Sequence, residues 1–437
     1  MKRLFIVDPS LKDVRGHHYM MTREATRSAQ KLGFETVWLC SASFSTALDR
    51  QSAVIAPTFK ASMYDAYMSQ QKQANRQGLL ERLILKLTGP PAIVTPPSAG
   101  FYDDLQSAMA QWKIGAQDRV LLHTADGESF PAIVDIVREM PLEALPIFHV
   151  ATPYDPVGVM PKRQGMEAFA ETLKALKTAG KLDHKLFLYA ENAYLAEHLS
   201  QLWGARVRPL PIPASAPPPN AKDSARAAFS GTLAGKQILA DDSFIIVSLG
   251  SARLEKGFHR IPEIVEEVFS RAASFDGAET RIKFVLHASA QIIGRDPQIE
   301  NALNALAARP KSEVTLLLDP LSDDEYQRLL HASDVVLLPY GEHEYRIRGS
   351  AVVTEAIAAG KTIVAAANTY PGKAAEEYGG LTANTAADFA EAILAVYRER
   401  NQFREKAVRE SEKFIAANNM DTYWPRCLAA EKEEAES

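Results

Sequence analysis

The chain has 437 residues, of which 46% are hydrophobic, 24% charged and 8% aromatic, and its formal net charge at pH 7 is -5. A single hydrophobic core rarely grows beyond about 250–300 residues, so two domains of about 200 residues each are expected. The composition excludes a disordered or fibrous chain, and the acidic balance argues against a dedicated nucleic-acid binder.

The first elements alternate in type. Leu4–Val7 reads as a buried strand, Tyr19–Leu32 as a helix and Thr36–Cys40 as a second strand, the alternation of a parallel βαβ sheet. Asp8, Pro9 and Ser10 cut the first apolar run too short for a secretory signal. Between strand and helix lie Gly16, His17 and His18, where glycine permits close backbone approach and a helix start offers free amides. Adjacent histidines are no metal signal on their own, and no cluster with ligand spacing accompanies them.

Residues 60–101 break the repeat. Within them Leu79–Leu87 reads as an amphipathic helix with Arg82 and Lys86 on its polar side, suited either to packing on its own domain or to peripheral contact with an anionic membrane. No stretch approaches the ~20 apolar residues needed to span a bilayer.

Arg119–Leu122, Leu145–Val150 and Leu186–Tyr189 are further strands, the last followed by a helix over Asn192–Trp203. His123 stands at the tip of the first with Asp126 just beyond it; His149 and Asp155 lie on the next strand and its loop. Residues 208–222 hold six prolines, which suits a connection between domains. The alternation then restarts with Phe244–Leu249, Ile282–His287, Glu313–Leu318, Asp334–Leu338 and Thr362–Ala365. Asp421–Pro425 is placed to return to the first domain, and the acidic tail Glu431–Ser437 reads as frayed. Cys40 and Cys427 read as free buried thiols in a reducing cytoplasm.

Two segments of the second half carry chemistry. Gly250–Gly257 follows a strand at its carboxyl end and brings Arg253 and Lys256, two cations able to hold a diphosphate. After Asp334–Leu338 come Pro339, Tyr340, Arg346, Arg348, Gly349 and Ser350, the last opening a helix whose dipole and free amides suit an anion, with Glu355 one turn in.

Pro339–Tyr340, Arg348–Ser350 and Glu355–Lys361 resemble the donor-site segment of family-four retaining glycosyltransferases with the GT-B fold, also called glycosyl transferases group 1. The resemblance implies an α/β chain of two doubly wound Rossmann-like domains facing across a cleft. Residues 1–213 would form the acceptor-side domain and 214–414 the donor-binding domain, with a helix at about 415–430 returning to the first. It implies retaining transfer of a hexose-type sugar from a nucleoside diphosphate sugar to a hydroxyl acceptor (glycan, lipid-linked or small molecule), in polysaccharide or glycoconjugate synthesis, without cofactor or metal. Arg253 and Lys256 would stabilise the leaving diphosphate and His123 would contact the sugar near the reacting carbon. Gly16, Arg348, Gly349, Ser350 and Glu355 would bind the donor, Glu355 through its ribose, while His17, His18, Asp126 and Asp155 would line the acceptor side.

The match has two departures. Ile347 stands where the family has its first acid, and Lys256 follows Arg253 by three residues rather than five. A non-catalytic sugar-nucleotide-binding protein and a GT-B sugar-nucleotide epimerase or hydrolase remain alternative readings. The expected location is cytoplasmic, with residues 79–87 as the element that would touch the inner membrane face.

Overall fold

Strand alternation in the sequence becomes two parallel sheets in the computed structural model, which describes residues 2–14, 16–44, 53–61, 99–154, 163–214, 243–274, 281–289 and 296–436. The chain divides into one unit of residues 1–211 with 420–437 and a second of residues 212–419.

The first unit holds strands β1 (Lys2–Asp8), β2 (Phe34–Ser41), β3 (Val54–Phe59), β4 (Arg119–Leu122), β5 (Ile147–Thr152), β6 (Leu186–Ala190) and β7 (Val207–Pro209). They pair in the order β3-β2-β1-β4-β5-β6-β7, with β1 parallel to both β2 and β4. Leu4 to Val7 are fully buried because helices cover both faces of a parallel sheet. Pro57 sits in β3, the edge strand, where a missing N–H leaves no ladder bond unmade. The helix Ala193–Trp203 starts where Asn192 accepts a hydrogen bond from the Leu195 amide at 2.9 Å, a side-chain cap.

The second unit holds β8 (Phe244–Ser248), β9 (Ile282–His287), β10 (Val314–Leu317), β11 (Val335–Leu338), β12 (Thr362–Ala366) and β13 (Leu381–Ala383), in the order β10-β9-β8-β11-β12-β13. Successive residues of β8 serve opposite layers. Phe244 and Ile246 pack with the helices Ile261–Ala272 and Ala386–Arg398, whereas Ile245 and Val247 pack with Asp323–Ala332 and Ala351–Ala358. The helix Asp323–Ala332 opens with a capping box: the Glu325 amide donates to Ser322 Oγ and the Ser322 amide to Glu325 Oε2. Asp334, just before β11, is buried and accepts from Arg400 at 2.9 and 3.0 Å.

The closing helix, Met420–Glu436, belongs to the first unit. Trp424 packs edge-on against Phe34 and His149, and Lys31 pairs with Asp421 at 2.7 Å. Arg119 meets Glu431 at 2.7 Å, and Arg206 and Arg208 meet Glu433 and Glu434. The expectation of a frayed tail is therefore corrected. Its acidic residues continue the helix to Glu436 because basic side chains of the first unit face them. His149 is likewise spent on structure: it is fully buried, 2.9 Å from the Tyr189 hydroxyl and 3.1 Å from Glu431. Cys40 and Cys427 are free and buried.

Candidate active site

In an open parallel sheet, ligands bind outside the carboxyl ends of the strands, where the strand order reverses. Each unit has such a point: between β1 and β4 in the first, and between β8 and β11 in the second. The candidate residues gather at these two places.

In the second unit the loop after β8 and the loop after β11 interlock. The Gly341 amide donates to Glu255 O at 2.9 Å. A Cβ on Gly257, whose φ is +67°, would lie 1.8 Å from Pro339 O, so only glycine permits this approach. The loop after β8 runs as two short 3-10 turns, Leu254–Lys256 and Phe258–Arg260, and presents Arg253 and Lys256 at the sheet edge. Arg253 pairs with Glu255 at 2.9 Å. The Lys256 ammonium lies 5.8 Å from the centre of the Tyr340 ring. It passes so near Gly250 that a Cβ there would meet Nζ at 2.6 Å. Burial lowers its pKa to about 8, with Arg253 and Arg348 adding to the effect and Glu255 and Glu355 opposing it. Lys256 has no ion-pair partner among the described residues. A half-buried cation with two others near it can hold an anion.

The loop after β11 contains one element not expected from sequence, a short helix Glu342–Tyr345. Tyr345 packs on Tyr340 with ring centres 4.4 Å apart, and the Arg348 guanidinium lies 5.3 Å over the Tyr345 ring. This stack fixes Arg348 beside the opening of the helix Ala351–Ala358. Ser350 is that helix's N-cap residue but makes no side-chain cap, leaving first-turn amides for an external acceptor. Glu355 is turned inward, where burial raises its pKa while the Tyr326 hydroxyl, donating at 2.5 Å, and Lys256 oppose the rise. Arg253, Lys256, Arg348, Gly349, Ser350 and Glu355 thus share one switch point.

Sequence reasoning missed Tyr326, the donor to Glu355, and His287 at the end of β9, whose Nδ1 accepts from the Gly250 amide at 3.4 Å. It also missed Asp8, the last residue of β1. The only sequence signal for Asp8 is an acid ending a buried strand just ahead of a histidine-bearing loop.

At the first unit's switch point Asp8 Oδ2 lies 2.9 Å from His18 Nδ1 and 3.4 Å from His123 Nε2. Gly16 starts the helix Gly16–Lys31 that carries His18. Asp126 Oδ1 accepts from the Glu128 and Ser129 amides and the Ser129 hydroxyl, so it organises the start of the helix Ser129–Glu139. The His17 side chain, Asp155 and residues 79–87 lie outside the described residues. No group of three metal-binding side chains occurs among the described residues, and none of their helices is long and apolar enough to cross a membrane.

Residues 245–399 match the family model described as Glycosyl transferases group 1, a span that contains the whole site of the second unit. The chain carries a glycosyltransferase domain. No curated protein matches it in sequence. Among solved structures it resembles sucrose-phosphate synthase from Thermosynechococcus elongatus at 14% identity over all of both chains, with a TM-score of 0.61. It also resembles a UDP-forming α,α-trehalose-phosphate synthase from Burkholderia xenovorans in complex with glucose-6-phosphate: 13% identity over 98% of this chain and 100% of that one, TM-score 0.63. A Rickettsia africae glycosyltransferase aligns at 12% identity over 100% and 99% of the two chains, with a TM-score of 0.62. At these identities the likeness establishes a shared fold. This glycosyltransferase has the GT-B fold of two Rossmann-like α/β units, each with a parallel sheet.

Proposed function

We propose that this glycosyltransferase moves a hexose-type sugar from a nucleoside diphosphate sugar to a hydroxyl acceptor with retention of anomeric configuration. The observation that carries this reading is the second unit's switch point, where Lys256, Arg253, Arg348 and the start of the helix Ala351–Ala358 adjoin the inward-facing Glu355. The cations and helix amides suit a diphosphate, and Glu355 suits the hydroxyls of a ribose.

In the proposed reaction the bond between the anomeric carbon and the β-phosphate oxygen breaks, and the diphosphate leaves with the bonding electrons. Arg253 and Lys256 stabilise the charge that grows on that oxygen, and the acceptor hydroxyl adds on the same face. The leaving phosphate takes the acceptor's proton. One such preorganised donor is worth roughly 3 kcal/mol in a transition state. A sugar phosphate is one acceptor class to test, since one structural relative is described in complex with glucose-6-phosphate.

The experiment is nucleotide release from a panel of labelled nucleotide sugars, with and without sugar-phosphate and glycan acceptors, in the wild type and in the Arg253→Ala/Lys256→Ala double variant. Release by the wild type with a loss of at least 100-fold in the variant is expected. Equal turnover in both proteins would sink the diphosphate assignment, and absence of release with every donor would sink the transfer reading.

A further inference from the structure

The parallel ladder between β8 and β9 ends where Ser248 stands opposite Leu286, so amides beyond it need other acceptors. For Gly250 the acceptor is a side chain. His287, the last residue of β9, takes the Gly250 amide on Nδ1 at 3.4 Å. Because an amide N–H only donates, Nδ1 bears no proton and the neutral ring carries its proton on Nε2. Burial of His287 lowers its pKa; the Asp319 backbone beyond β10 opposes the fall and the Lys256 ammonium adds to it. The neutral ring that the contact requires is therefore the favoured one.

The Gly250 backbone is in turn the surface on which Lys256 rests. Its φ of +108° is one that side chains rarely adopt, and a Cβ there would lie 2.6 Å from Nζ and 3.9 Å from Cε of Lys256. Arg253, Glu255, Arg348 and Glu355 also act on this ammonium, but through charge, which falls off slowly with distance and fixes no position. Contact with Gly250 does fix one, and His287 is what holds Gly250.

We infer that His287 is a positioning residue for Lys256: by accepting from Gly250 it keeps the backbone on which the ammonium rests at the carboxyl end of β8. The placing of Lys256 is read from the second unit alone, whereas its consequence for a diphosphate rests on the glycosyl-transfer reading. His287 touches no substrate in this scheme.

The test follows the Lys256 amine by competitive acetylation with acetic anhydride on the full chain, read by peptide mass as a function of pH. Only the unprotonated amine reacts. The wild-type midpoint is expected at about 8. His287→Leu and the ring-sized His287→Phe cannot accept from Gly250; they should free the backbone, let water reach the ammonium and raise the midpoint by about 0.5–1 unit. His287→Asn should restore it, because asparagine Oδ1 stands roughly where Nδ1 does and accepts as it does. Affinity for UDP or GDP at pH 7, measured by calorimetry, should fall about 5-fold in the Leu and Phe variants and return in the Asn variant. A midpoint that Leu and Phe leave unmoved, even with a lowered Tm, would reduce His287 to a structural residue and overturn the inference, as would Asn raising the midpoint as far as Leu. Thermal melts check that each variant is folded, and Phe decides if Leu is not. A raised midpoint with unchanged nucleotide affinity would sink the diphosphate role of Lys256 and leave its positioning by His287 intact. If neither nucleotide binds the wild type, the donor reading fails and the acetylation still decides the role of His287.

Discussion

Tyr326 donates its hydroxyl to Glu355 Oε2 at 2.5 Å, joining the helix that precedes β11 to the helix that follows it. Desolvation raises the pKa of Glu355, so the tyrosine is part of what keeps it in the acceptor form that the proposed ribose contact requires. Tyr326→Phe should leave the carboxylate without that donor, at a cost of about 1–3 kcal/mol. The expected outcome is a donor KM raised about 10-fold with a smaller change in kcat, measured by steady-state nucleotide release.

Lys256 sets a limit on the alkaline side. Its folded pKa of about 8 means that the ammonium is present below that pH and is lost as pH rises through it. Nucleoside diphosphate affinity should therefore be level below pH 8 and weaken above it, and Lys256→Arg should move the decline to higher pH. An anion beside Lys256 favours the charged form, so calorimetry at pH 8 in buffers of differing ionisation enthalpy should show proton uptake on binding UDP or GDP.

Gly257→Ala tests the interlock of the two loops. Its positive φ and the 1.8 Å approach to Pro339 O leave no room for a methyl group, and the substitution should cost roughly 3–5 kcal/mol, read as a lowered Tm. Gly115→Ala is the control. Its Cβ would meet nothing nearer than 3.9 Å, and Tm should be nearly unchanged.

Glu431 predicts an acid limb in stability. Burial alone would raise its pKa, but hydrogen bonds from His149 and Arg119 reverse this and lower it to about 2. Its ordinary value is 4.5, so its contribution is complete above pH 4.5 and is lost as pH falls towards 2. That contribution is on the order of 2–3 kcal/mol. Glu431→Gln should lower the Tm at pH 7 and flatten the dependence of Tm on pH between 5 and 3.

The parts legible in the sequence are those that local chemistry dictates. Apolar runs such as Phe244–Ser248 became strands because both faces of a parallel sheet are buried. Arg253, Lys256 and Glu355 were singled out because each lies beyond the carboxyl end of such a run, and the structure brings the three to one switch point. Asp8, Tyr326 and His287 were not. Each acts through a residue distant in sequence: Asp8 reaches His123 across the junction of β1 and β4, and no local pattern encodes strand order. The tail was misread for the same reason, since Glu431 owes its order to Arg119, 312 residues earlier.

The closing helix also fixes an order of assembly. Met420–Glu436 supplies Trp424 and Glu431 to a unit whose other residues precede position 212. A chain made from its N-terminus has all of residues 212–419 available to fold before the first unit's last helix exists. The unit begun first is thus completed last, and until then Phe34, His149 and Arg119 lack the surface that covers them in the finished protein.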